Sequence, residues 1–99
     1  MSDALRALAS VDRTIHEPAR LMIVSLLFLV KEADFLWLLN QTELTKGNLS
    51  AHLAKLEQAA FLQVDKRFEG KIPRTSYRLT PLGKRELARY RAAMRTALG

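Results

Sequence analysis

The chain has 99 residues, with 16 Lys and Arg against 10 Asp and Glu, a net charge of +6 and no cysteine. That length supports one hydrophobic core, and the missing thiols exclude disulfides, thiolate metal sites and a cysteine nucleophile. The greasiest run, Leu21 to Val30, is ten residues between Arg20 and Lys31, half of the about 20 that a bilayer span takes, so it reads as a buried helix. The amino terminus carries an early acid, Asp3, and no apolar leader, which makes the cytoplasm the default location.

In chain order, Asp3 to Ala9 has Leu5 and Leu8 three apart and reads as a short helix. Asp12 to Ile15 leads into His16, Glu17 and Pro18, and Pro18 suits the first turn of a helix, where its missing N–H costs nothing. Ala19 to Val30 is apolar almost all round, as in the central helix of a small bundle. Ala33 to Asn40 is expected to form a third, short helix, offering Phe35, Leu36, Leu38 and Leu39 to the core with Trp37 at its edge.

Gln41 to Leu44 is a brief connection, and a fourth helix starts at Thr45, whose hydroxyl can cap the first free N–H groups. Leu49, Leu53, Leu56 and Ala60 recur at spacings of four, three and four, which puts them on one face. The other face carries Lys46, Asn48, Ser50, Ala51, Ala54, Lys55 and Gln58, all small, polar or basic. Two helices joined by so short a link follow the helix-turn-helix plan.

After Ala60 the period changes. Phe61, Leu62 and Val64 are strand formers, Glu69 to Arg74 holds Gly70 and Pro73 as turn signals, and Thr75 to Leu79 is a second strand. This two-stranded hairpin carries Lys66, Arg67, Lys71, Arg74 and Arg78. Alone it would be marginal, so it must lean on the helices through Phe61, Val64, Tyr77 and Leu79. Thr80 and Pro81 restart a helix that runs to about Leu98, with Leu87, Tyr90, Met94, Ala97 and Leu98 as its apolar stripe. That stripe and residues 1–11 offer more apolar surface than so small a core covers, which suggests a dimer interface.

The fold class expected is mainly α with a small β-hairpin, a winged helix-turn-helix spanning residues 1–99. Its core lies in 12–80, and its terminal dimerisation helices in 1–11 and 81–99. Charge supports an anionic partner. Residues 1–45 hold four basic and six acidic groups, and residues 46–91 hold eleven basic and four acidic. The positive half begins with the fourth helix, as an electrostatic footprint for nucleic acid would.

The run Leu44-Thr45-Lys46-Gly47-Asn48-Leu49-Ser50-Ala51-His52-Leu53-Ala54-Lys55-Leu56-Glu57 resembles the L-T-x-G-N-L-S-x-H-L-x-x-L-E signature of single-domain prokaryotic transcriptional regulators of the winged-helix class, relatives of the MarR and ArsR groups. Lys66 to Lys71, Pro73 to Thr75 and Tyr77 to Gly83 look like the wing and its exit. The resemblance implies a homodimeric regulator of double-stranded DNA, binding a pseudo-palindromic operator. The 45–58 helix would enter the major groove, and the wing, residues 66–75, would lie on the backbone or in the minor groove. One departure stands out. The family usually has glycine just after the recognition helix, and here the position is Ala60, which must accept left-handed strain or end the helix another way.

The candidate DNA-binding residues are Thr45, Lys46, Asn48, Ser50, Ala51, His52 and Lys55 on the helix and Lys66, Arg67, Lys71 and Arg74 on the wing. Asparagine can read adenine, lysine can read guanine, and serine or threonine can hold phosphate or base edges. Gly47 and Ala51 let the helix approach closely. The wing cations would neutralise phosphates, an arginine near the tip reaching the minor groove. Two residues keep a second reading: Asn48 as a local cap, and His52, nearer the apolar stripe, as a structural contact.

Other chemistry has little support. His16 and His52 lie in different elements, and there is no Ser-His-Asp spacing, Gly-rich phosphate loop or HExxH. No enzymatic activity, cofactor or metal is expected. A small-molecule effector fits the resemblance, with Phe35 and Trp37 as the residues that could line its site. The alternative function is a winged-helix protein–protein interaction module, which would show apolar or acidic residues where this chain shows basic ones.

Overall fold

The helix Pro18–Val30, α2, is the hub of the molecule, and its sequence explains its position. In the computed structural model, which describes residues 1–99, α2 buries Ala19, Ile23, Val24 and Leu27. Around it lie α1 (Asp3–Ala9), β1 (Ala33–Asp34), α3 (Phe35–Thr42), α4 (Lys46–Gln58), β2 (Leu62–Glu69), β3 (Ile72–Leu79) and α5 (Pro81–Leu98). Each helix begins on a side-chain cap: Ser2, Glu17, Asp34, Thr45 and Thr80 accept from N–H groups of the first turn. Ile15, Ile23, Val24, Leu27, Leu38, Leu49 and Leu56 are sealed from solvent and form the centre of the core.

The helix expected over 33–40 starts two residues later and ends two later. Asp34 accepts the Trp37 N–H at 2.8 Å and so caps α3, an arrangement that aspartate favours over a helix interior. Ala33 and Asp34 pair instead with Tyr77 and Ser76, giving an antiparallel sheet in the order β1-β3-β2. The hairpin is therefore two strands of a three-stranded sheet. Of the four residues offered to the core, Leu38 is fully buried, Phe35 and Leu39 are half-buried, and Leu36 is exposed.

The turn is also tighter than the Gly and Pro signals implied. It is Gly70-Lys71 alone, with Gly70 at φ +64°, the glycine-first pattern of a two-residue hairpin. Ile72 and Pro73 belong to β3. Glu69 and Ile72 flank the turn as its hydrogen-bonded pair, so Phe68 and Pro73 form a non-hydrogen-bonded pair. The proline's missing N–H then faces the edge that β1 does not reach.

α1 has no buried residue and lies along α5. His16 Nδ1 sits 2.9 Å from the Tyr90 hydroxyl, pinning the chain before α2 to α5. α5 buries Leu87 and Tyr90 and leaves Leu98 exposed. The molecule is elongated, 57 × 26 × 21 Å, with a radius of gyration of 14.9 Å against about 13 Å for a compact domain of this length.

Candidate nucleic-acid interface

α4 divides into two faces as its spacing requires. Leu49, Leu53 and Leu56 are buried, while Lys46, Gly47, Asn48, Ser50, Ala51 and Lys55 are exposed. Thr45 is the cap, its hydroxyl oxygen accepting the Asn48 N–H at 3.1 Å, so Asn48 is the capped residue and its side chain is exposed. Lys46 and Lys55 have no acidic partner within ion-pair distance.

His52 differs from its neighbours. Its Nδ1 lies 3.2 Å from Arg20 Nη1 and 3.6 Å from Glu17 Oε2, facing the start of α2. A guanidinium only donates, so in a neutral ring Nδ1 accepts from Arg20, and in a protonated ring it faces the Glu17 carboxylate. Arg20 Nε donates to the Thr14 carbonyl at 2.6 Å, and the Glu17 carboxylate caps α2 through the N–H groups of Ala19 and Arg20. Partial burial pushes the Glu17 carboxyl up, but those two N–H groups, with His52 and Arg20 beside it, outweigh burial and hold it below 4.5. The sequence brought out His52 but missed Glu17 and Arg20, whose only local signal is an acid directly before Pro18.

α4 ends on strained backbone. Ala59 N–H reaches the Lys55 carbonyl, Ala60 N–H the Glu57 carbonyl at 2.9 Å, and Phe61 N–H the Leu56 carbonyl at 3.0 Å. The last two bonds are the pair of a Schellman cap. Ala60 sits at its left-handed position, φ +63°, so the strain is accepted. Ala60 is exposed and leaves the apolar stripe. Thr80 then ties the end of α4 to the start of α5, its N–H donating to the Phe61 carbonyl at 3.0 Å and its hydroxyl to the Ala60 carbonyl at 2.7 Å. Gly83 completes the joint: a Cβ there would collide with the Phe61 carbonyl oxygen.

On the wing, alternation sorts the cations by face. Lys66 and Phe68 follow Leu62 and Val64, opposite Thr75 and Pro73. Arg67 and Arg74 are cross-strand partners on the other face, and acids meet them there. Arg67 lies 3.7 Å from Glu32, and Arg74 lies 3.4 Å from Asp34 and 3.1 Å from Glu69. The Glu69 contact is ionic, since the buried Arg74 Nε has no aligned hydrogen-bond acceptor. The Ser76 hydroxyl donates to Glu32 at 2.9 Å. Lys66 and Lys71 are exposed and without acidic partners. The structure thus brings the α4 cations and the wing lysines to the surface as free charges, places His52 and Arg74 in part-buried contacts, and leaves Arg67 exposed beside Glu32.

The largest concavity is elsewhere, an open groove of about 750 Å³ between α2 and α5 with Leu21, Phe28, Leu87, Tyr90 and Met94 in its wall. Phe35 and Trp37 do not line it. No helix is long and apolar enough to cross a membrane.

A helix-turn-helix made by α3 and α4, followed by a sheet whose hairpin projects beside it, defines the winged helix-turn-helix class. Residues 19–98 match the family model of the winged helix DNA-binding domain, and the chain belongs to that family. Among solved structures it is similar to the transcriptional regulator homologue protein from Pyrococcus horikoshii OT3, with a TM-score of 0.86 and 26% identity over 99% of this chain and 95% of that one. A search of curated proteins returned no significant match.

Proposed function

We propose that the protein regulates transcription as a homodimer bound to a pseudo-palindromic operator, with α4 in the major groove and the wing on the flanking backbone or minor groove. The observation that carries this reading is the outer face of α4, where Lys46, Asn48, Ser50, Ala51 and Lys55 are all exposed on a helix whose other side is locked into the core. Lys46 and Lys55 reach phosphates or guanine, Asn48 and Ser50 reach base edges, and the short Gly47 and Ala51 let the backbone come close. Lys66 and Lys71 supply the wing's phosphate contacts.

Surface area supports the dimer. The chain exposes 6603 Å², about 900 Å² more than the roughly 5,700 Å² of a folded monomer of its mass. Hiding that excess on two protomers would bury about 1,800 Å², the size of a stable interface. The exposed apolar side chains that such an interface would cover are Leu5 and Leu8 on α1, Phe28, Leu29 and Val30 on α2, and Leu98 on α5. In a two-fold pair the reading helices would sit about 34–36 Å apart, one turn of the duplex.

In-vitro selection of bound duplexes tests the reading, because it yields both the operator and its half-site spacing. A palindrome with that spacing is expected, together with a sedimenting dimer. Asn48→Ala should relax discrimination at one operator position by about 1–3 kcal/mol. Selection that enriches no sequence, with a monomer in solution, would sink the proposal.

A further inference from the structure

We propose that Arg67 and Arg74 are positioning residues: they clamp the wing at a fixed angle to the helix-turn-helix unit through Glu32, Asp34 and Glu69, and do not bind phosphate. The register sets two like charges directly opposite each other, which is unfavourable in an antiparallel pair. The three carboxylates within 3.1–3.7 Å of them remove that repulsion and leave the cluster with one negative charge in excess. A phosphate approaching this face meets no free cation. Lys66 and Lys71, by contrast, have no such partners.

Asp34 gives the cluster its mechanical role. Its Oδ1 accepts the Trp37 N–H at 2.8 Å and starts α3, the first helix of the helix-turn-helix. Its Oδ2 lies 3.4 Å from Arg74 on β3. One carboxylate therefore joins the reading unit to the hairpin. Glu32 repeats the link through the Ser76 hydroxyl and Arg67. Released from these pairs, the wing would swing about the base of its strands, and the entropy lost on fixing it would fall on DNA binding.

The clamp rests on the DNA-binding reading for its binding assay but not for its dynamics. Asp34→Asn, Arg74→Ala and the double variant are compared with the wild type on the selected operator and on a non-specific duplex, across salt. Asparagine keeps the α3 cap, so Asp34→Asn is expected to fold. Each single change should weaken operator binding about three- to fivefold, the worth of half-exposed ion pairs, with the salt slope unchanged and the double no worse than either single. The proposal is overturned if Arg74→Ala lowers the slope by about 0.9, one phosphate contact. It is equally overturned if Asp34→Asn tightens binding and steepens the slope, since a freed arginine would then be reaching phosphate. Backbone order parameters of residues 66–74 in the free protein give the independent arm. They should fall in both single variants, and unchanged values would refute the clamp. A wild type that bound no duplex, with those order parameters still falling, would refute the DNA-binding reading and leave the clamp standing.

Discussion

Replacing Ala60 by glycine should stabilise the protein. Ala60 holds φ +63° at the end of α4, and a Cβ in that conformation costs about 1–2 kcal/mol. Glycine removes the clash but returns about 0.4–1 kcal/mol of freedom to the unfolded chain. Ala60 is exposed, so its methyl takes little packing with it, and the two capping bonds, made by backbone N–H groups, stay intact. The net gain is about 0.5–1 kcal/mol, and at about 4–8 °C per kcal/mol for a domain of this size the Tm should rise by about 2–8 °C. Thermal unfolding at one fixed protein concentration measures it, because dimerisation would otherwise shift the midpoint. Ala60→Val is the counterpart and should lose at least 1 kcal/mol, since a β-branched side chain is worse at positive φ. A lower Tm for Ala60→Gly would show that the strain argument is wrong.

The other expectations are more local. Gly83→Ala should destabilise by about 1–3 kcal/mol in urea titration, because overpacking against the Phe61 backbone exceeds the gain in helix propensity. Gly47 faces open space, so Gly47→Ala should gain up to about 1 kcal/mol, whereas Gly47→Leu should keep the fold and cut operator affinity at least tenfold on the groove-entry reading. Glu17→Gln should cost about 1 kcal/mol at neutral pH as a weakened cap. The folded Glu17 carboxyl titrates below its ordinary 4.5, so its contribution is complete above that pH and is lost as pH falls through the folded value. Denaturation curves of the two proteins should therefore converge in acid, and a gap that persisted there would contradict the assignment. Lys66→Ala and Lys71→Ala should each flatten the salt slope by about 0.9, and a slope unchanged in both would remove the wing lysines from the phosphate contacts.

Legibility in the sequence followed the range of the interactions. α4 was readable because its cap, its leucines and its outer face are all set within fifteen residues, and Thr80-Pro81 marked α5 in the same local way. β1 was not readable, because two residues have no period and Ala33 becomes a strand only through Tyr77, far along the chain. Pro73 suggested a wider turn, because the open edge that tolerates it exists only once the sheet is built. The site divided likewise. The outer face of α4 came from spacing alone. The engagement of Arg74 by Asp34 and of His52 by Arg20 spans 40 and 32 residues, and no local pattern announces it.

The joint between α4 and α5 makes the long helix a lever. Thr80 grips both carbonyls beyond α4, and Gly83 lets the first turn of α5 press against one of them, so no compliant segment separates the two helices. From that seat α5 extends about 27 Å at 1.5 Å per residue. A tilt of about 5° at the joint corresponds to a shift of about 2 Å at the far end of a rod that long. A small displacement at the carboxyl-terminal end of α5 therefore corresponds to a fine rotation at the joint beside α4.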